Sequence, residues 1–186
     1  MAKLKVVTVH AGHNPSGKIA CGASDYIDES TEARYITKKV VSLLKKGGIK
    51  ATNCTVSNGT SQKDVLVKIC RKCEAVDNVD LNVSIHFNAL THSKVDGKTK
   101  GVEVHLTSEA GCKGPVAKSI CSKIKALGFT NRGLKINKGL YFLNHTSKPS
   151  ILVEVCFVDD QDDARLYKKK KDEIAAAIAN AIINYK

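Results

Sequence analysis

The most conspicuous chemical group in the sequence is Glu154, which lies inside the apolar run Ile-Leu-Val-Glu-Val-Cys-Phe. Period-two alternation predicts that Glu154 shares one face of a strand with Leu152 and Cys156. An ionised carboxylate buried on that face without a partner would be costly. Glu154 must therefore face a polar cavity, a cation or a base, and a buried ion pair with one of the 30 Lys and Arg residues is the structural alternative.

Histidines follow two other apolar segments that have the pattern of strands. His86 ends the segment 81–86, and His10 and His13 lie in the loop 10–17 after the first apolar run. A single histidine at the end of a strand is more often a hydrogen-bonded structural residue than a ligand, so each of the three has that alternative. The loop also contains glycines that could cradle a phosphate, but it lacks the GxxxxGK[ST] pattern.

An acidic cluster, which contains Asp28, Glu29 and Glu32, stands at the beginning of the first long amphipathic segment. Helix capping and the helix dipole account for acids at such a position. Spacing alone does not select one of the three as a ligand. Two histidines and one carboxylate can nevertheless bind zinc with one position left open for water, which is the arrangement of hydrolytic zinc sites. A further carboxylate nearby could then move the proton of that water.

The elements that must position these groups alternate along the chain. Apolar runs and helical periodicity predict strands at 3–9, 49–56, 81–86, 101–106 and 150–157, a short strand within 131–143, and helices at 28–46, 62–76, 114–127 and 162–186. This order predicts a single α/β domain over residues 1–186, with a mainly parallel twisted sheet of about six strands and helices on both faces. The strand at 101–106 alternates as a half-exposed strand would. Ligands of such sheets bind beyond the carboxyl ends of the strands.

The charge of the chain restricts its partners. The net charge of +12 indicates either a polyanionic partner, such as nucleic acid, anionic lipid or an anionic cell-wall polymer, or simply a solvated basic surface. A non-enzymatic nucleic-acid-binding domain is disfavoured, because only 5% of the residues are aromatic, Trp is absent and no recognition motif is found. Such a domain would also give no reason for Glu154.

Cysteine usage and hydropathy bear on the compartment. Seven cysteines cannot all pair within one chain, which is typical of a protein made in a reducing environment. The pair Cys70 and Cys73 lies inside a predicted helix without a second CxxC, so we do not expect a metal site there. The longest apolar runs are far shorter than the roughly 20 residues of a membrane span. The apolar run after the basic start, residues 6–9, is too short for a signal peptide.

Four segments of the chain, taken in order, resemble the zinc N-acetylmuramoyl-L-alanine amidases of the type-3 class, which occur in bacterial autolysins and phage endolysins. They are the GH segment at 7–14, the helix-opening segment at 27–34, the SIHxNA-like segment at 83–89 and the LVExGF-like segment at 151–158. Together they span almost the whole chain. The sequence departs from the family pattern at four places, which are His10, the segment 14–17, Ala33 and the pair 155–156.

The resemblance implies that His13, Glu29 and His86 bind Zn²⁺ and that Glu154 is the general base and acid. It implies hydrolysis of the amide between the lactyl group of muramic acid and L-alanine in peptidoglycan. The same metal chemistry would serve a zinc peptidase that cuts within the stem peptide. The implied partners are peptidoglycan and anionic cell-wall polymers, with neither nucleic acid nor a membrane. Without a signal peptide, we expect synthesis in the cytoplasm and action on the wall after release, and the resemblance does not identify substrate-binding residues.

Overall fold

The computed structural model describes residues 3–186. The first two residues of the predicted domain, whose expected bounds are 1–186, lie outside the described range. The strands are β1 (Val6–Ala11), β2 (Lys50–Asn53), β3 (Leu81–Asn88), β4 (Val102–Leu106), β5 (Asn131–Ile136) and β6 (Ser150–Phe157). The helices are α1 (Glu29–Lys46), α2 (Gln62–Glu74), α3 (Lys113–Lys125), α4 (Tyr141–Asn144) and α5 (Gln161–Ile183). The predicted α/β class is confirmed.

The six strands form one sheet with the order β2-β1-β3-β6-β4-β5. The pairs β1–β2, β1–β3, β3–β6 and β4–β5 are parallel and the pair β4–β6 is antiparallel, so β4 and β5 run opposite to the other four strands. The carboxyl ends of β1, β3 and β6 therefore meet at one edge of the sheet, where ligands of open α/β sheets bind.

The alternation of side chains divides the sheet into two faces of different chemistry. On the apolar face, residues such as Val9, Val83 and Val153 join a large core under α1, α3 and α5. On the polar face, Thr8 donates a hydrogen bond to Asn82, whose amide donates in turn to a serine on β6. The helices α2 and α4 cover part of the polar face through a smaller apolar cluster, which includes Cys54, Val56, Val65, Ile69, Cys70, Cys73, Phe142, Leu143 and Leu152.

Three expectations need correction. Cys156 packs into the core of the apolar face instead of sharing a face with Glu154, because the register between β3 and β6 shifts between His86 and Asn88. Strand β4 is buried at every residue except the partly exposed His105, since it lies between β6 and β5 and not at an edge of the sheet. The second strand ends at Asn53, and the residues that follow it form a loop.

Helix boundaries follow the expected local chemistry. Asp28 caps α1 by accepting a hydrogen bond from the backbone N–H of Thr31 at 2.8 Å, and Gly47 ends the helix.

All seven cysteines are free within the described chain, including the two CxxC cysteines, which are buried in α2. Across residues 3–186, none of the helices combines the length and apolar character needed to cross a membrane.

Candidate functional site

His13, Glu29 and His86 meet at the carboxyl ends of β1 and β3. The side chains offer one potential ligand atom each, and these atoms all lie within 4.8 Å of one another. The Oε1 atom of Glu29 is 3.2 Å from Nε2 of His13 and 3.0 Å from Nδ1 of His86. Two imidazoles and one carboxylate form a set of donors that could hold a metal ion.

The position of Glu29 results from the way α1 begins. Because Asp28 is used as the helix cap, Glu29 is the first helical residue, and its carboxylate is fixed by hydrogen bonds from the backbone N–H groups of Ala23 at 2.9 Å and Phe87 at 3.1 Å. Glu32 instead accepts a hydrogen bond from the Tyr167 hydroxyl at 2.7 Å, on the side of α1 that faces α5. The structure therefore separates three acids that spacing alone left equivalent.

Close backbone approach places the His86 ring in the site. Gly12 lies directly against this ring, and a Cβ atom at Gly12 would overlap its atoms. The backbone N–H of Gly12 also donates to the carbonyl of Ile85 at 3.2 Å, which holds the loop after β1 against β3. The glycine of the GH segment is thus required by the packing of β1 against β3.

The electrostatics of the cluster favour the binding of a cation. Burial opposes ionisation of Glu29, but hydrogen bonds from His13 and His86 outweigh burial and hold the pKa of Glu29 well below its ordinary value. Burial lowers the pKa of His86 although Glu29 acts in the opposite direction, so the imidazole is neutral at pH 7. The Nδ1 atom of His13 is buried and has no hydrogen-bond partner. A buried carboxylate between two imidazoles, one of them with an unpartnered buried nitrogen, fits a bound metal ion.

Glu154 stands next to this cluster. In the register of the sheet it pairs with His86 on β3 and with Glu103 on β4. Its Oε2 atom is inaccessible to solvent and has no hydrogen-bond partner. Burial first, and then the charges of Glu29 and Glu103, raise the pKa of Glu154 well above its ordinary value. No basic side chain is paired with it within residues 3–186, which removes the alternative of a buried ion pair.

A second buried acid, Glu103, was not singled out from the sequence. Its carboxylate accepts hydrogen bonds from Nε of Arg132 at 2.7 Å and from Nδ2 of Asn88 at 3.0 Å, and it lies 3.1 Å from Nε2 of His105. Arg132 also stacks over the Phe157 ring at 4.9 Å. The available signal was the same as for Glu154, a carboxylate between apolar residues of a strand. Glu103 was overlooked because β4 was expected to be half-exposed, and a carboxylate on an exposed face needs no special explanation.

The remaining histidines lie outside the cluster. His10 is buried on the polar face, where its ring makes an edge contact with Phe142 at a centroid distance of 4.4 Å, so the structure gives it a packing role. His92 is exposed and contacts Asp25 at 2.6 Å. His145 is also exposed, as expected for a surface histidine, and stacks on the Tyr141 ring at 3.7 Å.

With this geometry established, the chain can be compared with known proteins. A family model described as N-acetylmuramoyl-L-alanine amidase matches residues 7–184. The chain belongs to this amidase family. An uncharacterized protein of Clostridium perfringens is 34% identical over 178 residues, which are 95% of this chain and 51% of the relative. An endolysin of Bacillus phage SPP1 is 33% identical over 166 residues, 89% of this chain and 59% of the endolysin.

Among solved structures, the catalytic domain of an endolysin targeting Clostridia difficile superimposes with a TM-score of 0.83 at 25% identity, and the match covers 98% of both chains. The architecture of this chain is therefore that of an amidase catalytic domain. The chain spans about half the length of the curated relatives it matches, since it covers 51% of the first and 59% of the phage endolysin.

Proposed function

We propose that the chain is a zinc-dependent N-acetylmuramoyl-L-alanine amidase, which hydrolyses the amide between the lactyl carbonyl of muramic acid and L-alanine in peptidoglycan. The observation that carries this proposal is the position of Glu154. One oxygen of its carboxylate is inaccessible to solvent and has no hydrogen-bond partner, and Glu154 is in register with His86 of the cluster of two histidines and one glutamate. Membership of the amidase family supplies the substrate class.

His13, Glu29 and His86 would hold the zinc ion. Zn²⁺ bound there would lower the pKa of a coordinated water towards ~7 and polarise the scissile carbonyl. Backbone donors to Glu29 and the close approach of Gly12 to His86 fix the orientation of two of the three ligands. Such support is needed because the affinity of a metal site depends on how rigidly its ligands are held.

Glu154 acts on protons in this proposal. As a general base it accepts a proton from the attacking water, and as a general acid it returns the proton to the nitrogen of the departing L-alanine. A raised pKa suits both steps, because a carboxylate with an ordinary pKa would be a weak base and would not be protonated at neutral pH. The apolar neighbours of Glu154 on β6 provide that environment.

Digestion of purified peptidoglycan tests the reaction. We expect glycan strands with free lactyl carboxylates and stem peptides that begin with free L-alanine, identified by mass spectrometry. A chelator should stop the digestion and added zinc should restore it. New ends within the stem peptide would instead make the enzyme a zinc peptidase, and the absence of any cleavage would contradict the hydrolase proposal.

Replacement of Glu154 by glutamine tests the role of this residue. Glu154→Gln keeps the size of the side chain but removes its ability to accept a proton, so we expect hydrolysis to be abolished while zinc remains bound at one equivalent per chain. Zinc content by atomic absorption and activity are measured on the same preparation. Retained activity would exclude Glu154 as the general base.

The proposed site of action is the bacterial cell wall, where the net charge of +12 favours attraction to anionic wall polymers. Salt screens such attraction over a Debye length of about 10 Å at 0.1 M. We therefore expect lysis of whole walls to fall more steeply with ionic strength than cleavage of small soluble fragments. Equal salt dependence in the two assays would contradict electrostatic targeting.

A further inference from the structure

A basic groove lies beside the candidate metal centre, between α2 and the loop that follows β2. Its cavity has a volume of about 650 Å³ and is lined by Thr55, Val56, Ser57, Asn58, Lys68, Arg71 and Lys72. The three cationic residues of α2 follow the spacing i, i+3 and i+4, which places them on one side of a helix. The opposite wall consists of the backbone and small polar side chains of the loop.

Two of the three cations in the basic groove have no acidic partner. Lys68 forms an ion pair with Asp64 at 2.8 Å. Lys72 donates only to the backbone carbonyl of Thr55, at 2.9 Å. Arg71 is exposed, and among the described residues neither Arg71 nor Lys72 forms an ion pair. The groove therefore presents uncompensated positive charge to whatever enters it.

The wall of the basic groove is connected directly to the loop that carries His13. The guanidinium of Arg34 donates from Nη2 to the carbonyl of His13 at 2.7 Å and to the carbonyl of Val56 at 2.6 Å. The side-chain amide of Asn14 donates to the carbonyl of Gly59 at 2.8 Å and accepts from its N–H at 3.0 Å. These hydrogen bonds fasten the loop wall of the basic groove to the backbone of the loop that carries His13.

We propose that the basic groove binds a carboxylate of the substrate's own stem peptide, with Arg71 as its main contact. The inference rests on the proposed amidase function, because a group covalently attached to the scissile amide must bind within reach of the metal centre. The planar guanidinium of an arginine matches a carboxylate through two parallel hydrogen bonds. A separate wall polymer needs no such proximity, and exposed lysines of α1 and α5, such as Lys45 and Lys168, offer it charge elsewhere.

Direct binding provides the first test. The probe is a fluorescently labelled tetrapeptide that begins with L-alanine and has free carboxylates, compared with the same peptide with every carboxylate amidated. We expect Arg71→Ala to weaken binding of the acidic peptide by about tenfold, the effect of one lost charged hydrogen bond, and to leave binding of the amidated peptide as it was. Arg71→Lys should recover part of the affinity, because it keeps the charge but not the planar fork.

The matched control is Lys45→Ala, which removes an exposed cation from the last turn of α1. It should not change binding of either peptide. Equal affinity of the wild-type protein for the two peptides would overturn the inference. It would also be overturned if Arg71→Ala weakened binding of a purified polyglycerol-phosphate polymer without affecting the acidic peptide, since the groove would then serve the wall polymer.

Kinetics separate this inference from the proposed function. With a soluble muramoyl peptide as substrate, Arg71→Ala should raise KM by about tenfold, with the effect in KM and not in kcat. Cleavage with the same KM in wild type and Arg71→Ala would overturn the inference and leave the amidase function intact. Arg71-dependent binding of the acidic peptide without any cleavage would support the groove and contradict the proposed reaction.

Discussion

The two faces of the sheet are built from the same strands but are covered differently. The apolar face lies under α1, α3 and α5, helices of 18, 13 and 23 residues, and carries the large core. The polar face is covered by α2, of 13 residues, and by α4, of only 4 residues. The carboxyl-terminal part of the polar face therefore remains available for His86, Glu154 and Glu103.

Because of this difference, the apolar face stabilises the fold and the polar face carries the chemical groups of the candidate site. The apolar face buries enough aliphatic surface to order the strands, and the polar face can then carry polar groups that would be unfavourable in a core. Beneath the site these groups are paired with one another, since Thr8 donates to Asn82 at 2.6 Å and Asn82 donates to Ser150 at 3.1 Å. At the site itself Glu154 has an unpartnered oxygen. Substitutions on the two faces should therefore change different measured quantities.

Among substitutions that change the packing of the two faces, the largest expected effect is that of Gly12→Ala on the polar side. Because the added methyl group would overlap the His86 ring, the imidazole must move out of its place in the candidate metal centre. We expect activity to fall by about 100-fold or more, as displacements of about 1 Å cost catalysis this much, and the affinity for zinc to fall with it. The relative loss of unfolding free energy should be smaller than the relative loss of activity, since the site lies at the edge of the sheet.

Gly139→Ala is the control for this substitution. A Cβ atom there would meet only the side-chain oxygen of Asn137, at 3.4 Å, and would not touch any of His13, Glu29 and His86. Activity and zinc content should match those of the wild type. If Gly12→Ala kept full activity and zinc, the His86 ring would not be held by the close contact described above.

The next expected effect is smaller and concerns stability, which should fall by different amounts when two neighbouring residues of β6 are replaced. Ile151 is fully buried in the core of the apolar face, and Leu152 is 5% exposed in the smaller cluster of the polar face. We expect Ile151→Ala to cost about 4 kcal/mol and Leu152→Ala about 2 kcal/mol, because the single turn of α4 can move to fill the cavity and the long helices cannot. Urea unfolding of both variants measures the difference, and equal losses would mean that the two faces are packed equally well.

Much of this architecture could be predicted from the sequence, because it is encoded by local pattern. Apolar runs and helical periodicity located all four long helices, and strands near their observed positions. The order of βα units predicted a mainly parallel sheet, and the family resemblance selected three residues that the structure brings together as a candidate metal site. Each of these inferences depends on residues that are close in the sequence or on segments in a fixed order.

The features that escaped prediction depend on contacts between distant segments. The antiparallel insertion of β4 beside β6 buries Glu103 next to Glu154, and no local pattern indicates which strand β4 will join. The register shift that moves Cys156 to the other face is likewise a property of the pairing between β3 and β6. Strict alternation fails at such a shift, so arguments about shared faces fail beyond it.

The smallest expected effect concerns two buried hydroxyl groups without partners, Thr37 on the side of α1 that faces the core and Ser84 on the polar face. Thr37→Val keeps the shape of the side chain and removes an unsatisfied hydroxyl from apolar surroundings, so we expect a gain in stability of about 1 kcal/mol. Ser84→Ala should be close to neutral, because the gain from removing an unsatisfied hydroxyl is offset by the small void that it leaves. The urea midpoints of the two variants, compared with that of the wild type, measure these changes in stability. A loss of stability in Thr37→Val would show that its hydroxyl is hydrogen-bonded within α1, and the apolar face would then tolerate polar groups as the polar face does.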